Sequence, residues 1–105
     1  MAGVSAEIRR IRADEIEHLI PLCAEHAAFE RAKPIEASGL AERLRARIWA
    51  EHSPLMVWVA QVSEALVGYA SVTAEFSTWS GRDYWHLDCL YVIDRSIRYK
   101  SSAHD

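Results

Sequence analysis

Residues that could perform acid–base chemistry lie close together near the end of the sequence. Asp88 and His86 are two positions apart in an alternating stretch, so on a strand they share a face with Tyr84 and, if no bulge intervenes, with Leu90. A carboxylate and an imidazole can each accept a proton from a substrate. Trp79, in the turn before this stretch, offers a ring face to which an organic cation can bind.

Each of these candidates also has a structural interpretation. Asp88 is equally compatible with a solvated carboxylate on an edge strand, and His86 with packing beside Tyr84 and Trp85. Trp79 is equally compatible with a turn residue that covers the core. The residue pattern by itself leaves both interpretations open.

No other arrangement in the sequence indicates a reactive centre. The five histidines lack the spacing of metal ligands, apart from His18 and His26, which are eight positions apart on one predicted helix, and we expect no metal site. Arg43, Arg45 and Arg47 are typical of a solvated helix face. There is no Gly-x-Ser-x-Gly motif and no Ser/His/Asp arrangement of a hydrolase.

The composition is that of an ordinary globular domain, which we expect to span residues 1–105. Half of the residues are hydrophobic, and the net charge of −3 argues against a nucleic-acid partner. The longest apolar run, 55–60, is too short to cross a membrane, and no signal peptide is apparent, so we expect a cytoplasmic protein with no membrane partner. Cys23 and Cys89 lie in apolar stretches and are predicted to be reduced, buried thiols.

The first half of the sequence predicts a short strand followed by two helices. The strand is 8–11, and Asp14 is predicted to cap a helix over 14–30 that Pro34 ends. Ser38 is predicted to cap a second helix, closed by Pro54, whose inward stripe is Leu40, Leu44 and Ile48.

The second half of the sequence predicts three strands, 56–62, 66–76 and 84–93, joined by tight turns. The middle strand alternates, with one face predicted to carry Leu66, Gly68, Ala70, Val72, Ala74 and Phe76, and the other Tyr69, Ser71, Thr73 and Glu75. Short turns make these strands an antiparallel meander. The element order β-α-α-β-β-β therefore predicts an α+β fold with two helices and a mainly antiparallel four-stranded sheet.

This order, with "IRRIRADEIEHL" at the start, "ALVGYASV" on the third strand and "LDCLYVID" on the fourth, resembles the GNAT family of N-acetyltransferases. The stretch "LVGYASVTAEFSTWSGRDYWHLDCLYV" and the helical "LCAEHAAFE" are most similar to its spermidine/spermine (diamine) N-acetyltransferase branch. The resemblance covers residues 7–98 and implies a partial GNAT fold that acetylates a primary amine, polyamine-like or another small amine.

The resemblance also implies where the cofactor, acetyl-CoA, would bind. In this family the pantetheine arm lies along the fourth strand as if it were an added strand, which here assigns cofactor binding to the backbone of Leu90, Tyr91 and Val92. The phosphates lie on a Gln/Arg-x-x-Gly-x-Gly/Ala loop that leads into a helix, where backbone N–H groups and the helix dipole favour an anion.

The phosphate loop of this chain departs from the family pattern. Arg98 and Ala103 keep the first and last positions, but Ser101 replaces the central glycine and would hinder close approach of the backbone to phosphate. Two residues follow Ala103, fewer than one helical turn. We therefore expect a domain truncated within the loop, with weak or absent acetyl-CoA binding and little or no activity alone.

In the resembled branch, an acidic residue at the position of Asp88 helps to take a proton from the substrate amine, with His86 here as a second base and Trp79 lining the amine groove. An alkylammonium of pKa near about 10.4 must lose a proton before it can attack a thioester. The alternative is a non-catalytic GNAT-derived domain that associates with itself. An exposed apolar edge is normally covered or paired, so we expect a homodimer through the fourth strand or through swapped elements.

Overall fold

The computed structural model describes residues 5–93 and confirms the predicted α+β class and element order. A single 3₁₀ turn, Ala13–Glu15, precedes the first helix. The strands and helices are β1 (Glu7–Arg10), α1 (Ile16–Phe29), α2 (Leu40–Ile48), β2 (Leu55–Val62), β3 (Ala65–Ser77) and β4 (Arg82–Val92).

The four strands form one antiparallel sheet in the order β1-β2-β3-β4, as predicted for a meander. β1 pairs with β2 through Ile8 and Ala60. Because β2 begins at Leu55, opposite Thr73, the β3–β4 hairpin continues beyond the other strands from residue 74 to residue 85. The sheet therefore has a compact part under the helices and a projecting two-stranded arm.

The core lies between the two helices and one face of the sheet. α1 contributes Ile16, Leu19 and Leu22, and α2 contributes Ile48. The sheet side of this core is Val57, Val59 and Tyr69. Burial of these apolar side chains is the main favourable contribution to folding, at about 25 cal/mol for each Å² removed from water.

The helix termini differ from the predicted caps. Asp14 lies inside the 3₁₀ turn and does not cap the helix. Instead, the Glu15 carboxylate accepts a hydrogen bond from the Arg12 backbone N–H (2.9 Å) and forms an ion pair with Arg9 (2.6 Å). The residue that precedes α2, at its N-cap, is Gly39 with φ of 74° rather than Ser38, and no side chain caps the helix there. A left-handed conformation at this position favours glycine.

The helices also end earlier than the prolines that were predicted to stop them. α1 ends at Phe29, and the backbone turns away at Arg31, where φ is 57°. Ala32 donates its N–H to the Ala27 carbonyl (2.8 Å), which satisfies one of the last carbonyls of the helix. Local backbone hydrogen bonds, rather than Pro34, therefore terminate α1.

Two bulges interrupt the ladders and change which residues share a face. Ala60 pairs with Gly68 but Gln61 pairs with Leu66, so Val67 is an extra residue of β3. As a result Leu66 lies on the helix side of the sheet, and its predicted grouping with Gly68 was wrong. The second bulge is in β4, where Ser71 pairs with Cys89 and Val72 with Leu87, leaving Asp88 as the extra residue.

The other face of the sheet has no helix over it in the described part of the chain. We call it the open face and define it by six residues that share one side of the register: Ile8, Trp58, Ala70, Trp85, Leu87 and Leu90. A shallow cavity of about 280 Å³ lies between Ile8, Trp58 and Leu90. An apolar sheet face is normally packed against another layer, so the exposure of the open face is unusual.

Candidate functional site

The outer edge of β4 is a row of backbone groups with no partner strand among residues 5–93. Ile93 donates its N–H to the Val67 carbonyl (2.8 Å), so its backbone faces β3. Because backbone groups along a strand point alternately to either side, Tyr91 also faces β3, whereas Leu90 and Val92 direct their N–H and C=O groups to the free edge. Of the three β4 residues predicted to bind the pantetheine arm, these two have the exposed backbone groups.

The bulge at Asp88 lies immediately before this free edge. The Cys89 thiol donates a weak hydrogen bond to Asp88 Oδ2 (3.6 Å), and the carboxylate is otherwise exposed to solvent. Since the bulge adds a residue, Leu90 lies on the open face, opposite to His86, which pairs with Thr73. Leu90 and His86 therefore do not share a face, as they would on a strand without a bulge.

The structure does not bring all the predicted site residues together. Trp79 lies in the turn of the β3–β4 hairpin, beyond the last pair of the ladder, and is 98% exposed. Arg82 and Asp88 are six positions apart along β4, so the turn is roughly 20 Å from Asp88. The alternative interpretation of Trp79 as a cover for the core was wrong. His86 is near Asp88 in sequence and is exposed rather than packed.

A group of rings beneath β4 did not stand out in the sequence. His26 Nδ1 lies 2.7 Å from the Tyr69 hydroxyl, and the His26 ring stacks on Tyr91 with centroids 4.9 Å apart. The Phe29 ring also contacts Tyr91, with the two ring centroids 5.9 Å apart. The signal in the sequence was the position of His26 on the apolar stripe of α1, which had been considered only for metal spacing.

Two thiols flank Tyr69 in this group. Cys23 and Cys89 are both free, and each is half-buried rather than buried as predicted. Burial raises the pKa of both thiols, and for Cys89 the nearby Asp88 charge adds to the effect. Burial also raises the pKa of the Tyr69 hydroxyl, with the two neighbouring thiols contributing. These groups therefore stay protonated at neutral pH and are poor nucleophiles.

The predicted phosphate-loop residues Arg98, Ser101 and Ala103 lie outside the described residues. Neither helix in the described part of the chain is long and apolar enough to cross a membrane.

The arrangement at β4 suits an extended ligand with amide groups. Leu90 and Val92 present their outward backbone groups about 7 Å apart, which is the repeat that an added strand requires. A ligand arm placed there pairs with backbone rather than side chains, as in recognition by strand addition. Asp88 lies at one end of this stretch and is the nearest carboxylate along the strand.

The fold is similar to that of solved acetyltransferases. A possible acetyltransferase from Clostridium difficile 630 matches with a TM-score of 0.70 and 20% identity, over 85% of this chain and 58% of that one. A predicted acetyltransferase with acetyl-CoA from Clostridium acetobutylicum matches at 0.68 and 15%, over 83% and 59%. An aminoglycoside acetyltransferase from an uncultured soil metagenomic sample, in complex with sisomicin, matches at 0.59 and 19%, over 84% and 56%.

A scan against protein-family models gave no match, and neither did a search of curated proteins. The chain spans less than two thirds of the length of each of the three solved structures above. At these identities the likeness establishes the architecture, and the residues of β1 to β4 with α1 and α2 therefore adopt a partial GNAT fold, the fold of these acetyltransferases.

Proposed function

We propose that this chain is a GNAT-type N-acetyltransferase domain in which the free edge of β4 holds the pantetheine arm of acetyl-CoA. The observation that carries the proposal is the unpaired edge at Leu90 and Val92, directly after the bulge at Asp88. Bulges bend a strand away from its regular path and are common beside active sites. A bend there keeps the outer edge of β4 available to a ligand rather than to another strand.

The residues present fit an acetyl-CoA arm. The pantetheine portion is extended and carries amide groups, which match the outward N–H and C=O groups of Leu90 and Val92. The backbone of Tyr91 pairs with β3, so Tyr91 can contribute to the site only through its ring, which packs against His26. When bound, acetyl-CoA supplies the acetyl group as a thioester.

The role that we assign to Asp88 is to accept a proton from the acceptor amine, directly or through water. An alkylammonium has a pKa near about 10.4 and carries no free electron pair until that proton is removed. Asp88 is exposed and lies two positions from Leu90, so it can reach a substrate placed beside the arm. His86 is the second base in this proposal.

The acceptor that we propose is a small primary amine, polyamine-like in the first instance. Support comes from the sequence resemblance to the diamine branch and from the fold shared with an aminoglycoside acetyltransferase that was solved with sisomicin. Trp79 stays a predicted substrate contact. Because it lies at the tip of the hairpin, it can touch only the far end of an extended amine.

We further propose that this site binds acetyl-CoA weakly. The described strands provide one wall of the site, and the predicted phosphate loop has Ser101 where the family has glycine. Binding to the folded state alone raises its stability with ligand concentration. We expect acetyl-CoA at about 0.5 mM to raise the melting temperature by less than about 1 °C. A rise of several degrees would contradict weak binding.

Activity is tested by mass spectrometry of spermidine incubated with acetyl-CoA and the protein. We expect slow formation of acetylspermidine above the background without protein. Asp88→Asn should lower this rate at least about tenfold, because general-base catalysis usually contributes more than that. Asp83→Asn, on the same strand near the hairpin turn, is the matched control and should keep the rate. Equal rates for both variants would exclude Asp88 as the base.

The second candidate function is a non-catalytic GNAT-derived domain that associates with itself. The observation that favours it is the open face, whose apolar residues are not covered by the described chain. The two candidates differ on spermidine acetylation, which the second predicts to stay at the background rate.

A further inference from the structure

The open face is unusually exposed for an apolar surface. Leu90 is 62% exposed, Ile8 58%, Trp85 57% and Leu87 54%. On the helix side of the same strands, Val57 and Val59 are at most 2% exposed. Single exposed apolar residues are ordinary on protein surfaces, but a contiguous apolar patch marks an interaction site.

The residues of this face are contiguous across all four strands. Ile8 of β1 lies opposite Ala60, which pairs with Gly68, which pairs with Val92. In the next row Trp58 pairs with Ala70, which pairs with Leu90. Neighbouring strands are only about 4.8 Å apart, so these rows form one continuous surface rather than isolated side chains.

The open face is nearly free of charge. In the rows that contain Ile8, Trp58 and Leu87, the only charged residue is Arg10 at the β1 edge. Its guanidinium carbon lies 5.6 Å from the centre of the Trp58 ring, as in a cation–π contact. A surface of this kind does not suit a nucleic acid or a strongly charged protein. Its best complement is another apolar surface of similar extent.

The area of the face is close to what a stable dimer needs. Fully exposed large side chains present roughly 150–250 Å² each, so the exposed fractions of the open face amount to roughly 600 Å². Specific interfaces bury roughly 800 Å² for each partner, and those of homodimers are more apolar than most. The open face therefore supplies most of one side of a standard interface.

We propose that the open faces of two copies of this chain pack against each other about a two-fold axis. The two sheets form the inner layers of a sandwich about 10 Å apart, with the helices of each copy outside. The shallow cavity beside Trp58 and Leu90 becomes part of the buried interface. Each copy presents the same surface, which a two-fold interface requires.

This contact differs from the pairing of β4 edges expected from the sequence. Edge pairing joins the backbone groups of Leu90 and Val92 across the axis, whereas the sandwich leaves that edge free. Face-to-face association is also independent of acetyl transfer, since it uses side chains on the open face and no residue of the proposed base. Leu90 takes part in both proposals, with its side chain in the interface and its backbone at the cofactor edge, so a failed dimer leaves the acetyltransferase proposal standing and removes only the support for the self-associating domain.

The experiment compares two neighbouring substitutions on β4 in the full chain. Leu87→Lys changes the open face, and His86→Lys changes the opposite face at the adjacent position of the same strand. Sedimentation equilibrium should show the wild-type chain and His86→Lys at twice the 11.9 kDa of one copy at about 20 µM. Leu87→Lys should raise the dimer dissociation constant at least about 100-fold, because each substitution acts twice in a two-fold interface.

A second open-face variant guards against a local effect on β4. Ile8 lies on the same face but on β1, at the opposite edge of the sheet from β4. Ile8→Lys should also dissociate the dimer, while the helical circular dichroism stays that of the wild type. A wild-type monomer at this concentration overturns the proposal and leaves a different apolar partner to cover the face. Equal effects of Leu87→Lys and His86→Lys, or no effect of either, point to edge pairing or exchanged elements and also overturn it.

Discussion

The two faces of the sheet are built by the same strands but have different surroundings. On the helix side, Val59 is 1% and Tyr69 is 7% exposed. On the open face, their neighbours Trp58 and Leu90 are 37% and 62% exposed. Both faces are apolar, as in a strand that is meant to be covered on both sides. Among residues 5–93, α1 and α2 cover one face of the sheet, and the other face has no helix over it.

The difference predicts a large gap in stability between matched substitutions on the two faces. Leu19→Ala, from a side chain that is 2% exposed against the covered face, should lower the free energy of unfolding by about 3 kcal/mol. Leu87→Ala, on the open face, should change it by less than about 0.5 kcal/mol once the protein is dilute enough to be monomeric. Urea denaturation at several protein concentrations measures both. A similar loss for the two variants would mean that the open face is packed within one chain.

Gly68 tests how closely β4 is held against β3 at the open face. A Cβ at this position would lie 2.8 Å from the Tyr91 carbonyl oxygen and 3.2 Å from Val92 Cγ2. Because the first contact is with backbone, Gly68→Ala should cost about 1–3 kcal/mol of unfolding free energy. Hydrogen exchange should become faster for the β3–β4 amides around Tyr91. Unchanged exchange there would show that β4 shifts without cost.

The covered side has an ion pair whose contribution depends on pH. The hydrogen bond from Arg9, followed by that from the Arg12 backbone, lowers the pKa of Glu15 from 4.5 to about 2. Since the folded state holds the carboxylate ionised, this stability is present above pH 4.5 and is lost as the pH falls towards 2.

Glu15→Gln should therefore cost about 1 kcal/mol at neutral pH. The difference from the wild type should shrink as the pH is lowered through this range, which thermal unfolding at a series of pH values measures. Glu64→Gln, in the exposed β2–β3 turn, is the control and should leave the stability at neutral pH unchanged. A constant difference between Glu15→Gln and wild type across the range would show that the ion pair does not stabilise the fold.

The elements of the fold follow from local patterns, and the bulges do not. Apolar spacing located α1, α2 and the three later strands because helices and strands impose different periods on the buried residues. The predicted caps at Asp14 and Ser38 were wrong because the Glu15 carboxylate accepts the backbone N–H before α1, and Gly39, in a left-handed conformation, precedes α2. The bulge residues Val67 and Asp88 leave no mark in the alternation, since each looks like one more strand residue.

The candidate site was predicted in part. The position of β4 at the edge follows from the meander, and so does the presence of Asp88 on it. Which of Leu90, Tyr91 and Val92 direct their backbone groups to the free edge depends on the strand register, and a bulge can change the register by one residue. The contact of His26 with Tyr69 joins α1 to β3 across 43 positions, and a single sequence gives no distance between such residues.

The central claim is that the outward backbone of β4 is a binding surface for the acyl-CoA arm. Titration of ¹⁵N-labelled protein with acetyl-CoA to about 5 mM, followed by amide NMR spectra, tests it directly, because a weak ligand shifts the resonances near its site even where its gain in stability is too small to measure. We expect the amides of Leu90 and Val92 to shift most, that of Tyr91 less, and those of β1 not at all. Shifts confined to other strands, or none at β4, would contradict the account.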